Sequence, residues 1–231
     1  MSEQQNESVD FAFVLASSVH DMKNSLGMLL NTLTDVMVQF PAQTKEQEHS
    51  YAVLEYEASR INSELIQLLS LYRLEQEQIH VHIDQYSVLD MLEEQVARNT
   101  NLFTARKMEL QIDCSTDLFA YFDVDLLGSV VNNLLVNASR YSKQRVMVSA
   151  QLSNNGLLIH VDDDGAGFPV VMLDPTSWQS SKVGFAAGRP HLGLMFASRI
   201  AQMHINKGIQ GHISLENHGL LGGGRFSIWL P

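Results

Sequence analysis

The sequence predicts an α+β protein in which an antiparallel helical hairpin precedes a mixed domain of helices and strands. In the first third of the chain, apolar residues recur at alternating spacings of four and three, the pattern of helices that pack lengthwise. In the remainder, short stretches of alternating apolar and polar residues, typical of half-buried strands, are interleaved with amphipathic helical segments. We place the boundary after residue 78, which gives a hairpin over residues 1–78 and a mixed domain over residues 79–231.

The two hairpin helices are separated by a proline and a capping motif. The apolar seam of the first helix consists of Leu15, Val19, Met22, Leu26, Leu29, Leu33, Val36 and Phe40. Pro41 ends this helix, because proline cannot continue the backbone hydrogen-bond ladder. Thr44 and Gln47 then form a capping box that opens the second helix. Its seam consists of Leu54, Ala58, Ile61, Leu65, Leu68 and Tyr72.

The length of the hairpin predicts its oligomeric state. Each helix should be on the order of 45 Å long at the usual rise per residue. A single hairpin of that length leaves much of its apolar seam in water. Pairing two hairpins into a dimeric four-helix bundle buries this surface, so we expect a homodimer.

The mixed domain is predicted to contain strands and helices in alternation. In chain order these are a strand over 79–83, a helix capped by Ser87, a strand over 108–112, a strongly amphipathic helix after Asp123, strands over about 145–152 and 156–162, a glycine-bearing loop over about 165–190, a helix over about 191–204 and two final strands.

Composition excludes several classes of function. The chain of 231 residues is 45% hydrophobic and 18% charged, which is a globular composition. Its net charge of −11 argues against binding to nucleic acid or to an anionic membrane, because both are negatively charged. The longest apolar runs, four to six residues, are too short to span a bilayer, and the polar N-terminus is unlike a signal peptide. The single cysteine, Cys114, fits a reducing compartment, so we expect a cytoplasmic protein.

A histidine beside the first seam is a candidate nucleophile. His20 is followed by Asp21 and, one helical turn later, by Asn24, which shares its helix face. An imidazole with a neighbouring carboxylate is a competent nucleophile, and an amide one turn away can orient a water molecule. A solvated polar residue beside a coiled-coil seam has the same pattern, so the residues alone leave both interpretations open.

A polar stripe on the amphipathic helix is a candidate metal site. Asn133, Asn137 and Tyr141 are four residues apart and line one stripe, and Arg140 adds a positive charge. Asparagine oxygens are hard ligands suited to Mg²⁺. A solvated polar face of a helix is the alternative.

An acidic strand end followed by glycines is a candidate ligand loop. Asp163 follows an apolar strand, and Gly165 and Gly167 let the backbone turn tightly and approach a ligand closely. A carboxylate at this place can accept hydrogen bonds from an amino group such as that of adenine. The spacing does not fit the twelve-residue Ca²⁺ loop, and a plain acidic turn is the alternative. Gly193, near the start of a helix, suits phosphate binding.

Taken in this order over about residues 10–231, these motifs and the Gly-Gly-x-x-Phe terminus resemble the sensor histidine kinase family. The resemblance implies a phosphoacceptor histidine on a dimeric helical hairpin, followed by an α/β sandwich domain that binds ATP. It implies that His20 is the phosphorylated residue and that Asp21 is its acid/base neighbour. It further implies that Asn24 supports phosphatase action on the aspartyl phosphate of a partner.

The same resemblance assigns a site for ATP and Mg²⁺. It makes Asn137 the metal ligand and Asp163 the residue that reads the adenine amino group. The other residues that it assigns to the nucleotide are Asn133, Arg140, Tyr141, Gly165, Gly167 and Gly193. Asn133 is not a general base, which favours phosphoryl transfer to a side chain over ATP hydrolysis.

The sequence departs from the family pattern just before Gly193. The pattern Gly-x-Gly-Leu-Gly-Leu is replaced by Arg189-Pro190-His191-Leu192-Gly193-Leu194, and Pro190 has no N–H to offer a phosphate. One alternative is therefore a histidine phosphotransfer protein whose degenerate nucleotide domain does not bind ATP. Another is a partner-binding module with neither activity.

The partners expected from the sequence are proteins. Only nineteen residues precede His20, and the chain stops where the sandwich should close. We therefore expect a separate sensor or regulatory protein to deliver the signal and a separate response regulator receiver domain to accept the phosphoryl group. Neither nucleic acid nor a membrane is expected as a partner.

Overall fold

The computed structural model describes residues 11–75, 80–176 and 192–231; within 11–75 several residues are described by their backbone alone. The chain divides into two compact units, with the break between Ile79 and His80. The first unit contains two helices, and the second contains a five-stranded sheet with helices packed against it.

The first unit is a hairpin of α1 (Phe11–Gln39) and α2 (Lys45–Glu75). The hydroxyl of Thr44 accepts a hydrogen bond from the N–H of Gln47 at 3.2 Å, and the Gln47 carbonyl oxygen accepts one from the N–H of Gln43 at 2.9 Å. Thr44 therefore caps α2 as predicted, but the return hydrogen bond to Gln47 comes from the N–H of Gln43 and not from that of Thr44. No helix in the described parts of the chain has both the length and the hydropathy that crossing a membrane requires.

Both hairpin helices expose large apolar side chains. They are Met22, Met28, Leu29, Val36 and Val38 on α1, Phe40 after it, and Val53, Leu54, Ile61 and Ile66 on α2. Several belong to the seams that the sequence predicts. The structure contains a single hairpin, so the predicted dimeric bundle stays a prediction.

The second unit begins with β1 (Asp84–Ser87), α3 (Val88–Ala105), β2 (Glu109–Cys114), β3 (Phe119–Phe122) and α4 (Val124–Tyr141). The prediction of a strand over 79–83 is wrong for its described part, because the strand starts only at Asp84. The backbone N–H of His82 donates to Oδ2 of Asp123 at 2.8 Å and is therefore engaged by a side chain rather than by a strand. β1 pairs antiparallel with β3, a strand that the sequence did not predict.

The remaining elements complete the sheet. They are β4 (Arg145–Ser153), β5 (Gly156–Asp163), α5 (Val170–Leu173), α6 (Leu192–Met203), β6 (Ile205–Asn206), β7 (Ile209–Gln210), β8 (His212–Asn217) and β9 (Gly224–Leu230). The strand order is β2-β4-β5-β9-β8, with β2 parallel to β4 and the other pairs antiparallel. The core between the sheet and helices α3, α4 and α6 includes Leu92, Val130, Leu135, Val148, Ile159, Ile200 and Ile228.

Side-chain caps fix where two helices start. Ser87 accepts from the N–H of Asp90 at 3.2 Å and caps α3, and Asp123 accepts from the N–H of Leu126 at 2.9 Å and caps α4. Each cap satisfies an N–H that has no partner within its helix. Both helices therefore begin at the positions that the sequence predicts.

Candidate functional site

Three of the residues singled out in the second unit, Asp163, Gly165 and Tyr141, come together where β5 and α4 both end. Asp163 is the last residue of β5 and Tyr141 the last of α4. A Cβ atom placed on Gly165 would overlap the carbonyl oxygen of Tyr141. Glycine is therefore required at this position, because the loop after β5 lies directly on the end of the helix.

The carboxylate of Asp163 is held by backbone groups from two loops. Its Oδ1 atom accepts from the N–H of Gly165 at 2.7 Å and from the N–H of Gly224 at 3.2 Å. Its backbone oxygen accepts from the N–H of Gly223 at 3.0 Å. Among the described residues, no hydrogen bond to Oδ2 is present. The loops thus orient one carboxylate oxygen and leave the other as an acceptor for a ligand donor.

The glycines that face Asp163 leave no room for larger residues. A Cβ atom on Gly223 would lie 2.5 Å from Oδ1 of Asp163, and one on Gly224 would lie 2.8 Å from Oδ2. These separations are shorter than real Cβ contacts. The glycines that lead into β9 therefore leave room for the Asp163 carboxylate as well as forming the turn.

Asp164 ties this loop to the segment that follows α4. Its Oδ1 atom accepts from the N–H of Lys143 at 2.8 Å and from that of Gln144 at 3.0 Å. Burial acts to raise the pKa of Asp164, but the backbone N–H groups around it, first that of Gln144, outweigh burial and lower the pKa. The side chain is therefore a carboxylate that fastens two loops together.

Asn217 holds the second half of the glycine loop. Its Oδ1 atom accepts from the N–H of Phe168 at 2.6 Å, and its Nδ2 donates to the carbonyl oxygen of Phe168 at 2.9 Å. Gly167 precedes this clamp with φ of +79°, a conformation that side-chain-bearing residues rarely adopt. A Cβ atom on Gly167 would also overlap the amide of Asn217.

The polar stripe of α4 presents an amide oxygen. Nδ2 of Asn137 donates to Oδ1 of Asn133 at 3.4 Å, and both side chains are half-buried. No described group donates to Oδ1 of Asn137, so this oxygen suits a hard cation such as Mg²⁺. The buried Asn99 donates to Oδ1 of Asn132 at 2.8 Å and so fixes the rotation of α4 against α3.

For the other predicted site residues of the second unit, the structure gives the position in the chain and the exposure of the side chain. Arg140 is half-buried and Tyr141 is 73% exposed. Gly193 is the second residue of α6 and is half-buried, while residues 189–191 lie outside the described residues.

The phosphoacceptor candidates are in the first unit. His20 lies in α1 and is described by its backbone alone, whereas the side chains of Asp21 and Asn24 are exposed. A groove between α1 and α2 is lined by Asp21 and by Ser18, Met22, Ser25, Leu26, Leu29, Ile61 and Leu65.

Three contributors to the site were not identified from the sequence. Asp164 was passed over in favour of its neighbour Asp163. Gly224 lies within the Gly-Gly-x-x-Phe terminus, to which the sequence assigned no contact with Asp163, although the glycine run was a usable signal. Asn217 carries no motif, because its contact with Phe168 joins residues 49 positions apart.

Most of the second unit matches a known family of ATPases. Residues 122–231 match the family described as histidine kinase-, DNA gyrase B-, and HSP90-like ATPase. The sensor protein kinase GraS of Staphylococcus aureus strain Newman is 26% identical over 150 residues, which are 64% of this chain and 41% of that relative. GraS of strain JH1 matches with the same identity and coverage. The chain thus spans less than half the length of these curated relatives.

Solved structures share the fold. The Acinetobacter baumannii histidine kinase AdeS has a TM-score of 0.57 at 15% identity, covering 91% of this chain and 96% of that one. Full-length ShkA in complex with AMPPNP has a TM-score of 0.63 at 19% identity, covering 95% of this chain and 46% of that one. The catalytic domain of histidine kinase ThkA has a TM-score of 0.54 at 17% identity, covering 65% and 95%.

Proposed function

Because this chain belongs to the sensor histidine kinase family, we propose that it is an ATP-dependent protein-histidine kinase of a two-component system. In this proposal, residues 79–231 bind ATP with Mg²⁺, and residues 1–78 form the dimerisation and phosphotransfer hairpin. The phosphoryl group passes from ATP to His20 and then to the aspartate of a response regulator receiver domain.

The observation that carries the nucleotide assignment is the geometry of Asp163. Its Oδ1 atom is engaged by the N–H groups of Gly165 and Gly224, and Oδ2 is left to accept. An acceptor fixed by backbone groups favours a base that carries an amino group, because the acceptor needs no reorganisation on binding. This supports adenine as the base.

The stripe on α4 fits the metal-bound phosphates. Oδ1 of Asn137 is the proposed Mg²⁺ ligand, and Asn133 orients the Asn137 amide through the contact at 3.4 Å. When bound, Mg²⁺ neutralises charge on the phosphates. Arg140 and Tyr141 flank the nucleotide, and the backbone at Gly193 faces the phosphates from the start of α6.

The phosphoryl transfer needs a nucleophilic nitrogen and a proton acceptor. A ring nitrogen of His20 forms a bond to the γ-phosphorus while the bond from that phosphorus to the ADP oxygen breaks. Asp21 accepts the proton that leaves the other ring nitrogen. Asn24 is exposed one turn later. It is proposed to position water for the phosphatase reaction, which removes phosphate from the response regulator.

The exposed apolar side chains of the hairpin support a homodimer. Met22 is 56% exposed, Leu54 is 55% exposed and Ile61 is 43% exposed. Burial of apolar area of this kind contributes about 25 cal/mol per Å². A second copy of the hairpin, packed along both seams, would cover these side chains.

The test of the proposal begins with binding. Mg²⁺-ATP is titrated calorimetrically into the purified chain and into Asp163→Ala. Binding by the unchanged chain and its loss in the variant are expected. The chain is then incubated with γ-labelled ATP, and acid-labile phosphate is expected on the unchanged chain and not on His20→Gln.

A second function is favoured by one observation, the replacement of two glycines by Arg189 and His191, with Pro190 between them. In this alternative the protein is a histidine phosphotransfer protein whose nucleotide domain does not bind ATP. A folded, dimeric protein without ATP binding, labelled on His20 by a phosphorylated donor protein, would support the alternative and contradict the kinase proposal.

A further inference from the structure

We propose that Asp164 is a positioning residue that fixes Asp163 against the end of α4 and thereby sets how strongly the site prefers a base with an amino group. This inference rests on the proposed function, because it takes the ligand to be a purine nucleotide. It adds a residue whose role lies in specificity and not in contact with the nucleotide.

Both the side chain and the backbone of Asp164 hold the segment after α4. The carboxylate accepts from the N–H of Lys143 at 2.8 Å and from that of Gln144 at 3.0 Å. The N–H of Asp164 donates to the backbone oxygen of Arg145 at 3.3 Å, and the Arg145 guanidinium lies 4.0 Å from the carboxylate. One residue thus contacts three consecutive residues that connect α4 to the start of β4.

The position of Asp164 in the chain links these contacts to the base-reading carboxylate. Asp163 and Gly165 are its two neighbours, and the N–H of Gly165 orients Oδ1 of Asp163 at 2.7 Å. Gly165 also lies against the carbonyl of Tyr141. Without the Asp164 carboxylate, the turn over 163–165 loses its fastening to the helix end, and Oδ2 of Asp163 loses its fixed position.

The phosphate end of the proposed site is held independently. Asn137 lies one turn and Asn133 two turns before the end of α4. The rotation of this helix is fixed by the Asn99–Asn132 contact and by a core that includes Val130 and Leu135. Loss of Asp164 should therefore disturb recognition of the base while leaving recognition of the triphosphate in place.

The experiment compares two nucleotides that differ in one group. Purine riboside triphosphate has the base and triphosphate of ATP without the amino group. Affinities of both, with Mg²⁺, are measured calorimetrically for the full chain, Asp164→Ala, Asp164→Asn and the control Asp113→Ala. Asp113 is exposed on β2, so its replacement changes the net charge equally without touching the loop.

The expected result is a change in preference. Asp164→Ala should weaken ATP binding about tenfold, the loss expected for hydrogen bonds to a charged group, and leave purine riboside triphosphate unchanged. Asp164→Asn, which keeps one acceptor, should lie between this variant and the unchanged chain.

Three outcomes would contradict the inference in distinguishable ways. Equal weakening of both nucleotides would show a general structural role for Asp164. Unchanged ATP binding in Asp164→Ala would show no role in the site, with the proposed function intact. Absence of ATP binding by the unchanged chain would overturn the proposed function and this inference together.

Discussion

The imidazole of His204 accepts a hydrogen bond at Nε2 from the backbone N–H of Asp123, over 3.0 Å. Its Nδ1 atom lies 2.8 Å from the backbone oxygen of Ile200, so the neutral ring carries its proton at Nδ1. Asp123 caps the helix that carries Asn133 and Asn137. A histidine at the end of α6 therefore helps to set where the site helix begins.

This contact predicts that the stability of the second unit falls in mild acid. Burial lowers the pKa of His204, and protonation of Nε2 would remove its acceptor for Asp123. A lowered pKa means that the unfolded chain binds more protons than the folded chain. The contribution of His204 to the free energy of unfolding is therefore fully present above about pH 6.5 and is lost as the pH falls through the pKa of the folded state. The measurement is urea unfolding, followed by tryptophan fluorescence, at a series of pH values from 7.5 to 5.

His204→Gln separates this contribution from other groups. The substitution should cost about 1–3 kcal/mol at pH 7.5, because a buried hydrogen bond is lost or distorted. It should also flatten the pH dependence. The pKa of His160 is lowered by burial in the same direction, so His160→Gln is the companion variant. An unchanged pH profile in His204→Gln would contradict the assignment.

The caps could be read from the sequence, whereas the contact between His204 and Asp123 could not. Thr44, Ser87 and Asp123 each satisfy an N–H three residues ahead, so the signal lies within one turn. His204 reaches across 81 residues, and no local pattern encodes such a pairing. The short strands β3, β6 and β7 were missed for a related reason, since two to four residues carry too little periodicity.

A second prediction concerns the glycines around Asp163. Gly224→Ala should weaken Mg²⁺-ATP binding about tenfold or more, because its Cβ would lie 2.8 Å from Oδ2 of Asp163 and displace the proposed acceptor for the base. The measurement is calorimetric titration. Gly27→Ala is the control, because a Cβ atom there meets nothing within 4 Å. Equal affinities for Gly224→Ala and the control would mean that the carboxylate does not read the base.

The candidate site was predictable to the extent that its residues are close in sequence. Asp163, Gly165 and Gly167 form one local motif, and Asn133 and Asn137 share a helix stripe. The structure adds residues that come from distant strands, such as Asn217 and Gly224. Their distance along the chain hides them from a local pattern.

A third prediction separates the metal contact from the nucleotide contact. Asn137→Ala should remove most of the increase in ATP affinity that Mg²⁺ provides, because the free Oδ1 is the proposed ligand. ATP binding is measured with Mg²⁺ and with a chelator. Asn101→Ala, on an exposed face of α3, is the control. If Mg²⁺ strengthens ATP binding equally in both variants, another group holds the metal.

A fourth prediction concerns the ion pair formed by Asp162, the residue before Asp163. Arg225 donates from Nε to Oδ1 of Asp162 at 2.8 Å and from Nη2 to Oδ2 at 3.1 Å, and Asp162 is completely buried. Oδ1 of Asp162 also accepts from the N–H of Leu220 at 2.8 Å. Arg225→Met should therefore destabilise the second unit by about 3–5 kcal/mol, because it leaves a buried charge without its partner.

The double variant Asp162→Asn with Arg225→Met tests whether the cost arises from the unpaired charge. Asparagine keeps an acceptor for the N–H of Leu220 and carries no charge, so the double variant should be more stable than Arg225→Met alone. Urea unfolding of the four members of this cycle measures the coupling. A double variant as unstable as the sum of the two single variants would show that the loss comes from packing of the arginine stem. The four proteins of the cycle should all retain a preference for ATP over purine riboside triphosphate, because Asp163 is oriented by the N–H groups of Gly165 and Gly224. Loss of this preference in Arg225→Met would show that the ion pair holds the end of β5 in place.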